Sequence, residues 1–316
     1  AQAGVVSTQP TLGARIASIK TQNPSYLVQE YLHENWHPLW FSQAADELAG
    51  AKLSHVGSAT LPENYLPSLI STELADVVRA GEGRVMQQAL IDLAINQSFR
   101  RDIFCRGPRE TRRSMALLDQ LTLIAGRSLR PDIVGLGEVP TSFGNLSITR
   151  SLLDAVVDKL LQGPATLAQL GALEAFKSKP KQDAIQVATL LLHAGHVNLA
   201  LSQAAQDSVA NFNRAVSTAV IADFASYSCL SARNTPTAVS ANDIDMAIYP
   251  LLNGAEEPDV NRLAAQLVDN LLSSGRTILR NGKVLEIPQE QFSRARELAQ
   301  DFVSNTLPTW IRLGVV

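Results

Sequence analysis

Apolar residues in the first hundred positions recur at helical spacing, in blocks separated by prolines, glycines and serines. The block "RVMQQALIDLAINQSFR" keeps Val85, Ala89, Leu93 and Ile95 to Phe99 near a 3.6-residue period, which predicts a helix reaching Arg100. Upstream, Ser25 is placed to cap a helix running through Tyr26, Leu27, Val28, Tyr31, Leu32 and Trp36. Pro38 would end it, because proline disfavours helical backbone in the residue before it. On that helix Val28, Leu32 and Trp36 form the stripe expected to face a core. A second helix, "SQAADELAG", takes Ser42 as cap and Gly50 as stop. "KLSHVGSATL" and "DIFCRG" have the short, turn-bounded form of strands. Residues 1–24 read as a linker with one amphipathic piece, "LGARIASIKTQNP", stopped by Pro24. From 107 to 147 the periodicity weakens and prolines and glycines gather, so the segment reads as connection with one or two strands and marks a boundary.

Beyond that boundary the pattern repeats. Asp154 is followed six residues later by "LLQG" and Asp245, 91 residues on, by "LLNG". Each copy continues into a second helix, "PATLAQLGAL" or "PDVNRLAAQLVDNLL", and each reaches Gly-x-Val after a leucine-rich stretch, at "LLLHAGHV" and "WIRLGVV". The order helix, turn, helix, then a helix leading to a hairpin is similar to that of a winged helix. "TILRNGKVLEI" is the clearest hairpin, with Asn281-Gly282 supplying the positive φ angles of a two-residue turn. The expected units are a linker at 1–24, a helical domain at 25–107, a connection at 108–146, and two winged-helix-like units at 147–212 and 213–316.

Composition agrees with this pattern. Leu and Ala dominate and aromatics make up only 5% of 316 residues, which predicts a mainly α protein with small β elements, an α+β fold. The formal charge of −3 gives no global field for nucleic acid or an anionic membrane. Cys105 and Cys229 are the two cysteines and lack metal or disulfide spacing, which fits a reducing cytoplasm. No apolar run reaches the length of a bilayer span, and "AQAGVVSTQP" lacks the pattern of a signal peptide. The start at Ala1 leads us to expect a preceding segment.

One motif suggests chemistry of its own. "HENWH" carries His33, Glu34 and His37 as H-E-x-x-H, which on a helix offers two imidazoles to zinc and a glutamate to a hydrolytic water. Pro38 follows immediately, so His37 would sit in a fraying last turn, and Asp46, Glu47 and Glu63 are third ligands without further signature. The expectation is therefore no metal site, with His33 and His37 on a polar flank and a zinc hydrolase as the alternative.

The same residues carry a longer likeness. Glu30, Tyr31, Leu32, Pro38, Trp40 and Phe41 match an "HEYL…P.YF" pattern, and Asn96, Phe99 and Arg100 match "N..FR". Over about residues 24 to 107 the chain resembles the methyltransferase regulatory domain found beside S-adenosylmethionine-dependent methyltransferase domains of bacteria. Gln29 stands where that pattern usually has histidine. The remainder resembles the winged-helix region accompanying this domain in bacterial protein lysine methyltransferases. The resemblance implies an upstream methyltransferase domain holding S-adenosylmethionine, a protein substrate, and no cofactor in this chain. Gly135-Leu136-Gly137 is not a cofactor turn by its surroundings, because Pro140 and Gly144 prevent the helix that should follow.

The contact candidates for substrate or upstream domain are Tyr26, Glu30, Tyr31, Trp36, Trp40, Phe41, Phe99, Arg100 and Arg101. Arg100, Arg101, Arg106, Arg109, Arg112 and Arg113 could hold carboxylates, although Asp102 and Glu110 make an internal or solvated role the first reading. The second helices of the repeat carry almost no positive charge, so nucleic acid is not expected. A transcriptional regulator remains the alternative binding module. His193 and His196 are read as helix-end cations, and Ser228-Cys229 as buried structure.

Overall fold

The computed structural model describes residues 10–35, 37–107, 114–129, 135–201, 208–252 and 258–316. Its first unit contains α1 (Pro10–Ile19), α2 (Pro24–Tyr31), α3 (Phe41–Gly50), β1 (Leu53–Ser58), a 3-10 helix (Leu61–Ser68), α4 (Thr72–Ala80), α5 (Gly83–Ala94) and β2 (Asp102–Arg106). Both expected strands form, and they pair antiparallel with His55 opposite Phe104. A register shift falls between His55 and Gly57, and a Cβ at Gly57 would lie 2.7 Å from Asn64 Oδ1, so a side chain there would displace the Asn64 amide from its bonds to the Ser58 backbone.

The helix boundaries differ from those expected. Asn23, not Ser25, caps α2: its Oδ1 accepts the Ser25 amide at 2.8 Å, and Pro24 opens the helix at N1 instead of stopping the one before. That helix ends at Tyr31, before Trp36, which lies outside the described residues. Val28 and Leu32 of the stripe expected to face a core are exposed, at 55% and 73%, and α2 has no buried residue. Trp40 rather than Ser42 is the N-cap of α3, where Gln43 Oε1 accepts the Trp40 amide at 3.0 Å. The long helix to Arg100 stops at Ala94 because Asn96 turns left-handed (φ 51°), letting the Gln97 amide reach the Asp92 carbonyl at 2.9 Å. Leu66, Val78 and Ile91 make the small core of this unit.

The second unit runs through α6 (Ser114–Gln120), β3 (Thr122–Ala125), the hairpin β4 (Glu138–Thr141) and β5 (Gly144–Ser147), α7 (Arg150–Gln162), β6 (Ala165–Thr166), α8 (Leu167–Gly171), α9 (Lys181–His193) and β7 (Val197–Leu199). Thr166 and Gln169 form a reciprocal capping box that starts α8. Strands β6, β3 and β7 make an antiparallel sheet in that order. The third unit contains α10 (Ser208–Ile221), β8 (Cys229–Leu230), β9 (Val239–Ser240), α11 (Asp243–Ile248), α12 (Val260–Ser273), β10 (Leu279–Arg280), β11 (Lys283–Val284), α13 (Pro288–Asp301), a π-helical turn (Phe302–Thr306) and α14 (Leu307–Leu313). Its core is built around fully buried Trp310, with Phe302 edge-on at 5.1 Å and Tyr249 at 5.8 Å.

The expected connection at 108–146 is more than a connection. Strand β3 sends Leu123 and Ala125 into the core of the second unit and Ile124 into that of the third, as a two-residue period requires of a strand between two cores. Leu129, Leu136 and Val139 also belong to the second core. Arg127 crosses to the third unit and pairs with buried Asp245 at 3.0 Å.

The hairpin at Asn281-Gly282 forms, with φ of 51° and 77°. It lies between α12 and α13. The two repeat aspartates also differ in role: Asp154 pairs with Arg150 on the surface of α7, whereas Asp245 is buried in the capping box that opens α11. The fold is thus mainly helical with small antiparallel sheets. Among the described residues, no helix is long and apolar enough to cross a membrane.

Candidate functional site

The chain segment 100–106 is extended from Asp102 onward, so Arg100, Asp102 and Phe104 alternate onto one side, toward α3 and α5. Arg100 sits at the centre of what they form. Its Nε and Nη2 donate to Asp102 Oδ2 and Oδ1 at 2.9 and 2.8 Å, Nη1 donates to Asp92 Oδ1 at 2.7 Å, and Nη2 also reaches Gln88 Oε1 at 2.7 Å. The guanidinium lies 4.1 Å from the centre of the Phe41 ring. The side chains of Arg100, Asp92 and Asp102 are 14%, 14% and 11% exposed, so this is a nearly dry ion cluster. Burial opposes the charge on Arg100, but the Asp102 hydrogen bond and the charges of Asp92 and Asp102 outweigh it and raise its pKa. Burial also raises Asp92, against the pull of Arg100.

His55 extends the cluster. Its Nε2 lies 3.0 Å from Asp102 Oδ1, and its ring packs edge-on to Phe41 at 5.0 Å and Phe104 at 5.4 Å. Burial lowers its pKa, against the hydrogen bond and charge of Asp102. Asp102 accepts and so fixes the proton on Nε2, which leaves Nδ1 as a buried lone pair without a partner. Sequence reasoning did not single out His55 or Asp92. The signal available was the alternation Arg100, Asp102, Phe104 opposite an apolar-flanked histidine in the partner strand. Glu63, weighed only as a metal ligand, instead accepts from Ser58 Oγ at 2.6 Å and Gln97 Nε2 at 3.0 Å and ties the 3-10 helix to the turn after α5.

The expected contact residues divide into two groups. Phe41 and Arg100 are internal. Tyr26, Tyr31, Trp40 and Phe99 are exposed, the last two at 67% and 68%, and Glu30 is half-buried on α2. Arg101 is exposed and reaches Thr60 Oγ1 at 3.4 Å. Arg106 donates to the Ala51 carbonyl, while Arg109, Arg112 and Arg113 lie outside the described residues.

His33 and His37 fall after the end of α2, exposed, with His33 Nδ1 accepting the Asn35 amide at 3.1 Å. Their four-residue spacing therefore has no helix to act through, and among the described residues no three potential ligands gather. Gly135-Leu136-Gly137 is a turn leading into β4, with no helix after it. Gly81-Glu82-Gly83 does open a helix, α5, but follows α4 rather than a strand. Neither supplies the strand, turn and helix of a nucleoside cofactor cradle. His196 is held 2.6 Å from Ser128 Oγ and burial lowers its pKa, so it is not the helix-end cation expected. Cys229 is exposed rather than buried.

Residues 23–106 match the family model described as a predicted methyltransferase regulatory domain. The match coincides with the first unit and its ion cluster. Across 332 aligned positions the chain is 27% identical to an uncharacterized protein, sll1526, of Synechocystis sp., covering 99% of this chain and 62% of that protein. Two solved structures share the fold: PKMT2 from Rickettsia typhi (TM-score 0.55, 18% identity, 96% of this chain and 64% of that one) and PKMT2 from Rickettsia typhi in complex with AdoHcy (TM-score 0.57, 16% identity, 97% and 64%). The chain spans less than two-thirds of the length of each. The family match marks residues 23–106 as similar to a methyltransferase regulatory domain, and the solved structures show a shared fold.

Proposed function

We propose that this chain is the regulatory and substrate-recognition part of an S-adenosylmethionine-dependent methyltransferase that acts on protein, and whose catalytic domain lies outside these 316 residues. The observation that carries this reading is the regulatory-domain match over residues 23–106, on a fold shared with a protein solved with AdoHcy. The cofactor is assigned to the upstream domain, a reading supported by the regulatory-domain match and by the AdoHcy complex of a longer protein, 64% of which this chain covers. In the first unit the ion cluster of Arg100 is a rigid support. Tyr26, Glu30 and Tyr31 on α2, Trp40 before α3, and Phe99 with Arg101 beside β2 are the contacts for the upstream domain or the acceptor protein. Exposed aromatic side chains of this kind supply large contact area with few rotatable bonds. The later units, from α6 to β7 and from α10 to the C-terminal helix with β3 as their seam, are winged-helix-like platforms for protein contact rather than DNA binding, and the whole acts in the cytoplasm.

The test is to express the full native gene product and the 316-residue chain alone, and to incubate each with tritiated S-adenosylmethionine and protein acceptors. Label on protein with the full product, none with the chain alone, and loss of label on Trp40→Ala in the full product are expected. Transfer by the chain alone, or transfer to nucleic acid and not protein, overturns the reading.

A further inference from the structure

A cavity of about 490 Å³ opens in the third unit where α12 ends, between the start of the 278–284 hairpin and α13. Helix α12 closes with left-handed Gly275, whose φ of 71° lets the Arg276 amide turn back to the Leu271 carbonyl at 2.9 Å. The turn brings Ile278 under the chain, and Ile244, Leu271, Ile278 and Leu298 give the cavity its apolar lining. Leu271 and Ile278 are also part of the unit's core, so this wall is rigid.

Two arginines line the same cavity, against a single carboxylate, Asp243. Arg276 is fixed before any ligand arrives: Nε and Nη2 donate to the carbonyls of Ile221 and Val220, at 3.2 and 2.7 Å, at the end of α10. Its remaining nitrogen, Nη1, faces Asp243 Oδ2 at 3.6 Å, beyond hydrogen-bond distance, and that carboxylate is 80% exposed. Arg294 is anchored at Nη1 by Glu297 at 3.0 Å, while its Nε is buried with no acceptor. A buried donor left unsatisfied is costly, and a planar guanidinium edge is shaped for a carboxylate. The cavity therefore combines an apolar wall with two anchored guanidinium groups against one lining carboxylate, in the size range of small-molecule sites.

We infer that this cavity binds a carboxylate carried on a short aliphatic body, with Arg276 and Arg294 holding the anion and Ile244, Leu271, Ile278 and Leu298 the aliphatic part. Such a group comes from a small aliphatic acid or from the C-terminus of a peptide ending in an aliphatic residue. The inference stands independently of methyl transfer.

The experiment is an NMR titration of the ¹⁵N-labelled chain, followed at the Arg294 side-chain Nε–H and the Gly275 amide, with hexanoate, acetate, hexan-1-ol and N-acetyl-leucine at constant ionic strength. Saturable shifts with hexanoate are expected, and affinity about tenfold or more weaker for acetate, which lacks the body, and for hexanol, which lacks the anion. Arg294→Gln should weaken hexanoate by about tenfold or more, read at Gly275, with Arg294→Lys intermediate because it keeps the charge and loses the fork. Tighter binding of N-acetyl-leucine than hexanoate assigns the natural source to a peptide terminus, and the reverse to a small acid. No saturable shift with either acid up to about 20 mM, equal binding of hexanol, or unchanged affinity in both Arg294 variants overturns the inference.

Discussion

Replacing Arg100 by alanine tests whether the ion cluster supports the first unit or serves as a binding surface. The change removes five charged or polar hydrogen bonds, to both oxygens of Asp102, to Asp92, and to the carbonyl and side chain of Gln88, together with the cation over Phe41. It leaves Asp92 and Asp102, 14% and 11% exposed, as buried like charges with no counterion. Breaking a buried pair in this way costs about 3–5 kcal/mol, because the partner charge stays desolvated. The core of this unit is small, with Leu66, Val78 and Ile91 as its cluster and Phe41, Ala45 and Ala75 also buried, so little else compensates. Hydrogen exchange measured by mass spectrometry separates the units without assuming two-state unfolding. Amides of β1 and β2 should lose protection by about 100- to 3,000-fold, while those of α12 and α14 hold theirs. Arg100→Met with Asp92→Asn and Asp102→Asn should restore most of the loss, since the stranded charges are then gone. A fall of less than about tenfold in β1 and β2, or an equal fall in α12, would refute the argument that Arg100 is an internal support.

The folded pKa of His55 lies below its ordinary 6.5, so the unfolded chain binds the proton more readily. The stability it preserves is present above 6.5 and is lost as pH falls through that value toward the folded pKa. Asp102, Arg100 and Arg84 set its surroundings, and raised Asp92 acts oppositely. Protection of β1 should therefore be lower at pH 5.5 than at 7.5, and His55→Phe should flatten that difference; a steeper dependence in the variant would contradict it. Arg127→Ala removes the ion pair to Asp245 across the seam, and Asp245 keeps its bond from the Asn242 amide, so a loss of about 1–2 kcal/mol in the urea stability of the third unit is expected. Helix α2 is eight residues long with no buried side chain, so its amides in the chain alone should exchange near the intrinsic rate, and in the full native protein about tenfold or more slowly if the upstream domain covers it. Gly282→Val, at φ 77°, should cost the hairpin about 1–2 kcal/mol and leave α12 unaffected by the same exchange readout.

The sequence carried the elements whose cause is local. β1 and β2 were legible from short apolar runs between turn residues, and the hairpin from Asn281-Gly282, because left-handed backbone at those two positions is a property of the residues themselves. Helix ends were not, because several residues compete for each cap. Ser25 and Asn23 are both good N-caps, and the proline between them decides for Asn23 by occupying N1. The same competition ended α5 early: Ile95 to Phe99 keep a helical apolar pattern, yet Asn96 tolerates the left-handed turn that lets Gln97 close the helix.

The site was legible in composition and not in arrangement. Six arginines between 100 and 113 stood out as a basic run, but a run says nothing of which members find carboxylates in space. Arg100 finds Asp102 two residues along the strand and Asp92 eight residues back across a helix end, and its charge is spent inside the unit. The histidines show the converse. His33 and His37 carry a motif whose meaning depends on a helix that ends before them, whereas His55, with no motif, is the one held against a carboxylate and two aromatic rings. Spacing identifies chemistry only when the backbone supplies the periodicity the spacing assumes. Along β2 the half-buried Asp102 and Phe104 alternate with the exposed Ile103 and Cys105, and which face turns inward is decided by pairing with β1, distant in the chain.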